Sequence, residues 1–344
     1  MRRARMIAVL VPALILVATL AGVSLAAKPG PGTSSGTARV FFPNPVAQLQ
    51  DQTLTDRGDV DYPELQDAYI VVALTDLDGS GYLRGAWANI RSATGPDAYS
   101  PDNTFLYDRH DDRFEQVMAY YWVTEAQKYI QSLGFGSVRR AINMESQDIR
   151  INQWGVDNSY SWDKHDVLRF GKGGVDDAED AEVILHEYGH AIQDSQMTPF
   201  GGFGTSAEAG AIGEGFGDYW AVTVSDVVAP TADPACVADW DSVSYTTSTP
   251  HCLRRVDTDL HYPTDLNGRV HHDGQIWSRA LWEIRTALGH ATADTIILEA
   301  QFSFARDTSM PAAATATVNA ALSLYGSGAA NTVLSVFQAR GILP

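Results

Sequence analysis

The chain has 344 residues, a formal net charge of −18 and a sequence pI near 4.7. An acidic protein of this kind is a poor partner for nucleic acid or for anionic membranes. Apolar residues make up 45% of the chain and aromatic residues 10%, which is enough for a packed core and excludes a largely disordered protein.

The first 26 residues have the layout of a secretory signal peptide. Three arginines within the first five residues precede an apolar run that extends to about Ala26. Small residues at the end of this run predict cleavage between Ala26 and Ala27. The run is nearly long enough to cross a bilayer, so an uncleaved N-terminal anchor is the alternative. We expect a secreted, extracellular protein with no stable membrane association after cleavage.

A flexible linker and a β-rich segment are predicted next. Residues 27–37 are rich in glycine, proline and serine, which is typical of a linker. Residues 38–112 contain short strand patterns and turns. Residues 76–82 are a candidate calcium loop but lack the later glutamate of an EF-hand. We therefore expect a hairpin turn there, joining strands at 70–74 and 82–90.

Residues 186–190 read His-Glu-Tyr-Gly-His, within a run at 177–194 that predicts a helix. His186 and His190 then lie one turn apart on the same face and can bind one Zn²⁺, with Glu187 beside the metal's water. A catalytic zinc needs a third protein ligand. The metzincin pattern is excluded, because the residues just after His190 include neither the required glycine nor a further histidine.

The stretch at 211–221 supplies the missing ligand. Glu214 and Asp218 are four residues apart and lie on one face if this stretch is helical. We predict that Glu214 binds the metal and that Asp218 accepts a hydrogen bond from the other ring nitrogen of a zinc histidine, His186 being favoured. Three glycines here each cost a helix about 1 kcal/mol relative to alanine, which indicates close approach of a neighbouring backbone.

Cys236 and Cys252 are the two cysteines of the chain. In an oxidising compartment they are expected to form a disulfide that closes a loop. Neither has the spacing of a zinc ligand, and we assign neither a catalytic role.

The two motif stretches resemble the zinc helices of gluzincin metallopeptidases of the thermolysin and fungalysin type. The wording Gly-Glu-Gly-Phe-Gly-Asp is closer to fungalysin, because thermolysin-like sequences usually carry asparagine where Gly213 stands. The resemblance covers roughly residues 113–344. It implies an α+β, two-lobed fold with a β-rich N-terminal lobe, a mainly helical C-terminal lobe and the zinc helix between them. The catalytic N-lobe then spans 113–220 and the C-lobe 221–344. Apolar patterns in the C-lobe predict helices at 273–289, 291–306, 311–325 and 329–340.

The resemblance also implies roles for residues outside the zinc helices. His271 matches the family's transition-state histidine, with His272 as the neighbouring candidate, and such a donor would stabilise the oxyanion. Asn158 and Ser159 precede a stretch similar to the edge strand that binds the substrate backbone. Arg254 best fits the arginine that contacts the substrate carbonyl and nearby carboxylates, and Arg255 is the alternative.

Two features of the thermolysin-like enzymes are missing. The connection between the zinc helices holds phenylalanines where a tyrosine would be, so no oxyanion tyrosine is assigned. No clear motif supports a calcium site, although Ca²⁺ is possible. The available carboxylates, which a solvated acidic surface explains as well, are Asp176, Asp177, Asp233, Asp239 and Asp241.

We therefore predict a secreted, monomeric zinc endopeptidase that acts on peptides or proteins, with Glu187 as general base. A gluzincin aminopeptidase is one alternative. The stretch Asn143-Met-Glu-Ser superficially resembles the Gly-Ala-Met-Glu-Asn signature of that group. A non-catalytic binding protein that retains the fold is the other.

Overall fold

The computed structural model describes residues 34–91, 95–196 and 206–344. The predicted signal peptide and its cleavage site lie outside these ranges. Among the described helices, none has the length and apolar character needed to cross a bilayer. The α-helices are α1 (Pro45–Leu49), α2 (Phe114–Ser132), α3 (Ala181–Gln196), α4 (Ala207–Val228), α5 (Val270–Leu288), α6 (His290–Gln301) and α7 (Met310–Ala339). The strands are β1 (Ser34–Phe41), β2 (Tyr69–Leu77), β3 (Ala88–Ile90), β4 (Thr104–Phe105), β5 (Gln147–Arg150), β6 (Tyr160–Trp162), β7 (Val167–Arg169), β8 (Cys236–Val237) and β9 (Arg254–Arg255).

The strands form two small mixed sheets and one two-stranded ladder. In the first sheet β1 lies in the middle, antiparallel to β2 and parallel to β4. The second sheet has the order β3-β5-β7-β6, in which β6 is an edge strand antiparallel to β7. The ladder joins β8 to β9 close to the disulfide between Cys236 and Cys252, which confirms the predicted pairing of the cysteines.

Two expectations for the N-terminal segment need correction. The predicted linker ended at residue 37, whereas β1 begins at Ser34, where pairing with β2 orders the backbone. The predicted hairpin after β2 is reduced to a bridge between Leu77 and Gly85. β2 pairs instead with β1, and β3 pairs with β5 of the other sheet.

Helix α2 forms the centre of the molecule. Most of its side chains are buried on all sides, which explains why its sequence is apolar around the whole helix. The helix ends just before Gly134, whose positive φ of 92° reverses the chain. Its apolar side chains belong to one large core cluster that also includes residues of β1, α3, α4 and α7.

The C-terminal part is helical, as the apolar patterns predicted, but with different boundaries. The third and fourth predicted helices are one element, α7, interrupted at Gly326, where the φ of 80° breaks the helical geometry. All strands of the two larger sheets lie before residue 170, and α4 to α7 follow. The chain is thus of the mixed α/β class.

Helix α4 packs against α3 on one side and α5 on the other, and glycines allow both contacts. A Cβ on Gly217 would lie 2.8 Å from the ring of His186 on α3, and a Cβ on Gly215 would clash with the carbonyl oxygen of Gly274 on α5. On α3, a Cβ on Gly189 would meet the backbone of Gly217 at 3.2 Å. These glycines therefore bring the α4 backbone against the helix that bears the two histidines.

Candidate metal centre

Three side chains from two helices meet at the crossing of α3 and α4. The Nε2 atoms of His186 and His190 are 3.2 Å apart, and Glu214 on α4 places Oε2 at 3.3 Å from His186 Nε2 and Oε1 at 3.9 Å from His190 Nε2. All three residues are buried. One ligand atom from each lies within 4.8 Å of the others, so the three residues could hold one metal ion.

The geometry fits a tetrahedral zinc site. Ligand atoms about 2.0–2.1 Å from a tetrahedral zinc are themselves about 3.3 Å apart, close to the separations found here. The Oε2 atom of Glu214 is buried and has no hydrogen-bond partner among the described residues. Burial opposes its charge, but the close approach of the His186 imidazole and the charges of the nearby histidines lower the pKa of Glu214 to about 2. Two imidazoles and an ionised carboxylate are a donor set that zinc prefers.

Asp218 holds one of the histidines in place. It lies one turn after Glu214, and its Oδ1 is 3.0 Å from the Nδ1 of His186. Arg254 on β9 approaches the same carboxylate from the other side with two donors, Nε and Nη2, each at 2.7 Å. Burial of Asp218 is outweighed by these partners, which lower its pKa far below the usual range. The carboxylate is thus kept ionised, and it can fix the tautomer of His186.

Arg254 and Arg255 point to opposite sides of the β9 strand, as successive strand residues do. Arg255 forms ion pairs with Asp233 and Asp257, away from the metal centre. Arg254 is thus the one of the two arginines that lies beside the metal centre. In this structure the Nε and Nη2 donors of Arg254 are bonded to Asp218, the carboxylate that lies beside Nδ1 of His186.

Glu187 lies between the two histidines on α3 and lines both the cavity that contains the metal centre and the cavity beside it. It is buried, and its Oε2 has no hydrogen-bond partner among the described residues. Burial raises the pKa of Glu187 to about 7, with the positive charge of His186 opposing the shift. A carboxylate so placed can accept and release a proton near neutral pH.

His271 reaches the metal centre from the first turn of α5. Its Nε2 is 3.2 Å from Oε2 of Glu214, and 60% of its side chain is exposed at the mouth of the site. Burial of the remainder lowers its pKa, which favours the neutral imidazole at neutral pH. His272 turns away and pairs with Asp273, at 3.2 Å. The structure thus separates the two candidates and places His271 at the site.

Asn158 and Ser159 stand where the chain enters the edge strand β6, and both line the two cavities beside the metal centre. The side chain of Ser159 is engaged, since its hydroxyl donates a hydrogen bond to Asp177. The connection that lacks the family tyrosine lies almost wholly outside the described residues.

Sequence reasoning missed the acidic floor of one of these cavities. Asp157, Asp177 and Asp241 come from three separate segments and meet there, beside Tyr245. The explanation of a solvated acidic surface is wrong for most of the five candidate carboxylates. Asp176, Asp177, Asp239 and Asp241 are at most 6% exposed. Only Asp233 of that set is partly exposed, in its ion pair with Arg255. No sequence spacing marks the cluster.

Two histidines one helical turn apart, a glutamate from the next helix and a second glutamate between the histidines are the arrangement expected of a zinc metallopeptidase. Comparison with protein-family models supports this class, because the model of the fungalysin metallopeptidases (M36) matches residues 102–295, more than half of the chain. The chain belongs to the fungalysin family.

Solved structures agree on the fold. The precursor of protealysin, a metalloproteinase from Serratia proteamaculans, superimposes with a TM-score of 0.59 at 18% sequence identity. The match covers 75% of this chain and 88% of the protealysin precursor chain. A search of curated protein sequences found no match.

Proposed function

We propose that this metallopeptidase is a secreted endopeptidase with a thermolysin-like, two-lobed arrangement, in which His186, His190 and Glu214 bind one zinc ion. The observation that carries the proposal is the meeting of these three ligands with Glu187 at the α3–α4 crossing. When bound, zinc would polarise the scissile carbonyl and lower the pKa of a water molecule.

Glu187 is the general base in this proposal. Its carboxylate accepts a proton from the attacking water and later passes that proton to the leaving amine. Burial supports this role by keeping the pKa near neutrality, and a neighbouring cation would lower it enough to keep the base ionised. His271 donates a hydrogen bond to the oxyanion from its position beside Glu214. Asp218, held by Arg254, orients His186.

Substrate binding is proposed along β6. This strand is at the edge of its sheet, and an edge strand can pair with an extended peptide. Asn158 is proposed to contact the substrate backbone. Ser159 is proposed to do so through its own main chain, because its hydroxyl is bonded to Asp177.

Cleavage within a chain is supported by the two cavities at the metal centre. One contains His186, His190 and Glu214, and the other adjoins it at His186, Glu187 and His271, so there is room for more than one substrate residue. The aminopeptidase-like stretch offers Glu145 as an anchor for a free amine. Glu145 lines neither cavity and lies near Asp166 and Asp148 instead. Secretion is supported by the disulfide, which forms in oxidising compartments, together with the apolar N-terminal run.

The test uses internally quenched peptides with acetylated N-termini and amidated C-termini. We expect Glu187→Gln to lower kcat/KM by about 10²–10⁴-fold, the usual contribution of a general base, while zinc remains bound. Chelation should abolish hydrolysis by the wild-type protein, and added zinc should restore it. Glu299→Gln is the matched control. Glu299 lies on α6, far along the chain from Glu187, and pairs with Arg140 at the surface. Full activity of Glu187→Gln, or of the chelated protein, would contradict the proposal, and cleavage restricted to free N-termini would favour an aminopeptidase.

A further inference from the structure

One cavity beside the metal centre has an acidic floor that the proposed reaction does not use. It has a volume of about 100 Å³, and by the same kind of measure one water molecule needs roughly 10–15 Å³. The cavity therefore has the scale of a single side chain. It opens at His186 and Glu187, so whatever occupies it lies directly beside the reacting bond.

Three carboxylates form this floor. Asp157, Asp177 and Asp241 each offer an oxygen, and these oxygens lie within 4.8 Å of one another. Asp177 and Asp241 are only 2% and 4% exposed, and the Oδ1 atom of each has no hydrogen-bond partner among the described residues. Buried carboxylate oxygens without partners are costly, so the cluster is built to meet a donor that enters the cavity.

The other polar groups of the cavity do not neutralise the cluster. Asp157 accepts a hydrogen bond from the Tyr245 hydroxyl, and Asp177 accepts one from Ser159. Arg254 is the nearby cation, and it forms a two-pronged ion pair with Asp218 instead. Burial raises the pKa of Asp177 to about 7, and burial together with the charges of Asp177 and Asp157 raises that of Asp241. A cation in the cavity would relieve this repulsion.

One part of the cavity wall is apolar. Val183, Val237 and Leu253 line the space beside the acidic floor. A calcium ion needs six to eight oxygen ligands, and these three side chains offer none. The combination matches a long side chain with an aliphatic stem and a positively charged end, as in lysine and arginine.

We propose that this cavity binds the lysine or arginine side chain of the substrate residue next to the scissile bond, with Asp241 and Asp177 as the acidic partners. The inference rests on the proposed peptidase function and names its substrate class.

The first measurement needs no variant. Cleavage sites in a denatured protein mixture are mapped by mass spectrometry, and lysine and arginine should be enriched at one of the two positions that flank the cut bond. Peptides built on the enriched site then carry lysine or norleucine, which has a stem of similar length without the charge. We expect kcat/KM for lysine to exceed that for norleucine by at least tenfold.

Variants test whether the three carboxylates cause the preference for lysine. Asp241→Asn should bring the lysine-to-norleucine ratio close to one while cleavage of the norleucine peptide continues, and Asp177→Asn should act in the same direction. Asp239→Asn is the control, because Asp239 is equally buried two residues away and does not line the cavity. The ratio should stay at the wild-type value in this control. Binding of both peptides to the inactive Glu187→Gln protein gives a second readout, with a lower Kd expected for the lysine peptide.

Each other outcome is decisive. Cleavage without enrichment of lysine or arginine at either position would overturn the inference and leave the peptidase proposal intact. A ratio unchanged in both aspartate variants would also overturn it. A rise in Tm with Ca²⁺ that Asp241→Asn abolishes, without lysine preference, would reassign the cluster to a metal. Absence of all hydrolysis together with lysine-selective binding would contradict the peptidase proposal and support the proposed binding of lysine in the cavity.

Discussion

Single residues at the α3–α4 crossing set how closely the ligands approach one another. Glu214 reaches the histidines because the α4 backbone comes very close to α3, and Gly217 is the residue that faces the His186 ring. Asp218, the next residue, then lies within reach of His186 Nδ1. In this part of α4, Gly215 and Gly217 therefore permit close contact with the neighbouring helices, and Glu214 and Asp218 face the ring of His186.

Adding a methyl group at Gly217 should weaken metal binding without unfolding the protein. A Cβ there would lie 2.8 Å from the Nδ1 and Cε1 atoms of His186, so the ring must shift away from its two partners. We expect Gly217→Ala to raise the Kd for zinc by about 10–100-fold, the range found when the groups that orient a ligand histidine are disturbed. Competition with a chelating dye measures this.

Gly328→Ala is the matched control for that substitution. Gly328 is also a helix residue, on α7, and a Cβ there would have open space around it. This variant should keep the zinc affinity and gain up to about 1 kcal/mol of stability, because alanine is the better helix former. Equal zinc affinity of Gly217→Ala and wild type would refute the close-contact argument.

Among single residues, the sequence predicted those groupings whose members lie close together along the chain. His186, Glu187 and His190 lie within one turn, and Glu214 and Asp218 within another, so helical spacing alone relates the members of each set. The disulfide was predictable because the chain has only two cysteines. Asp157, Asp177 and Asp241 meet only through tertiary structure, and no periodicity relates their positions.

Among the elements, the start of helix α3 depends on a buried ionic network. The side chain of Arg109 is fully buried and contacts Glu179, just before α3, at 2.9 Å and Asp56 at 2.6 Å. The indole N–H of Trp240 donates to the same glutamate at 2.9 Å. Three distant segments are thus tied to the end of the helix that carries His186 and His190.

Removing the cation from this network should destabilise the whole protein. Arg109→Met leaves Glu179 buried without its counter-ion, and breaking a buried pair in this way costs about 3–5 kcal/mol. Chemical denaturation should show the loss, and the loss should be greater at pH 8 than at pH 5, where Glu179 can take up a proton. Arg113→Met is the control, because Arg113 forms a partly exposed pair with Asp111 and should change stability by less than about 1 kcal/mol. Equal effects of the two substitutions would argue against the network.

Element boundaries were the weaker part of the prediction, and the reason is tertiary. The residues around 70–90 have the alternation of a hairpin, but β2 pairs with β1 and β3 with β5. Strand alternation identifies a strand without identifying its neighbour, because the neighbour is set by burial in the complete molecule. Helices α3 and α5 were better predicted, since their hydrogen bonds are internal and their apolar period is visible in the sequence.

Over the whole molecule, the interior carries an unusual number of carboxylates near α3. Burial is the largest cause that raises their pKa values, to about 8 for Asp176, about 7 for Asp177, Glu179 and Asp239, and about 6 for Asp180. The ordinary values are 3.8 for aspartate and 4.5 for glutamate. The folded protein therefore holds protons on these groups in a pH range where the unfolded chain has released them.

This difference fixes the sign of the pH dependence. A carboxyl group with a raised folded pKa contributes stability that is present in full below its unfolded pKa and is lost as the pH rises through the folded value. For this cluster the loss falls between about pH 4 and pH 8, at about 1.4 kcal/mol per pH unit for each extra proton held by the native state. His190, whose pKa burial lowers to about 4, acts in the opposite direction below pH 6.5, but it is one group against five.

We expect the free energy of unfolding to fall as the pH rises from 5 to 8. The measurement is urea denaturation of the Glu187→Gln protein in chelator, which removes self-cleavage and the pH dependence of metal binding. Asp176→Asn should make this decline shallower, because Asp176 is 1% exposed and its Oδ1 has no hydrogen-bond partner in the described part of the chain. Asp226→Asn should leave the slope as it is, since Asp226 pairs with Arg285 near the surface. Stability that rises steadily from pH 5 to pH 8 would mean that these carboxylates are ionised and compensated in the folded protein.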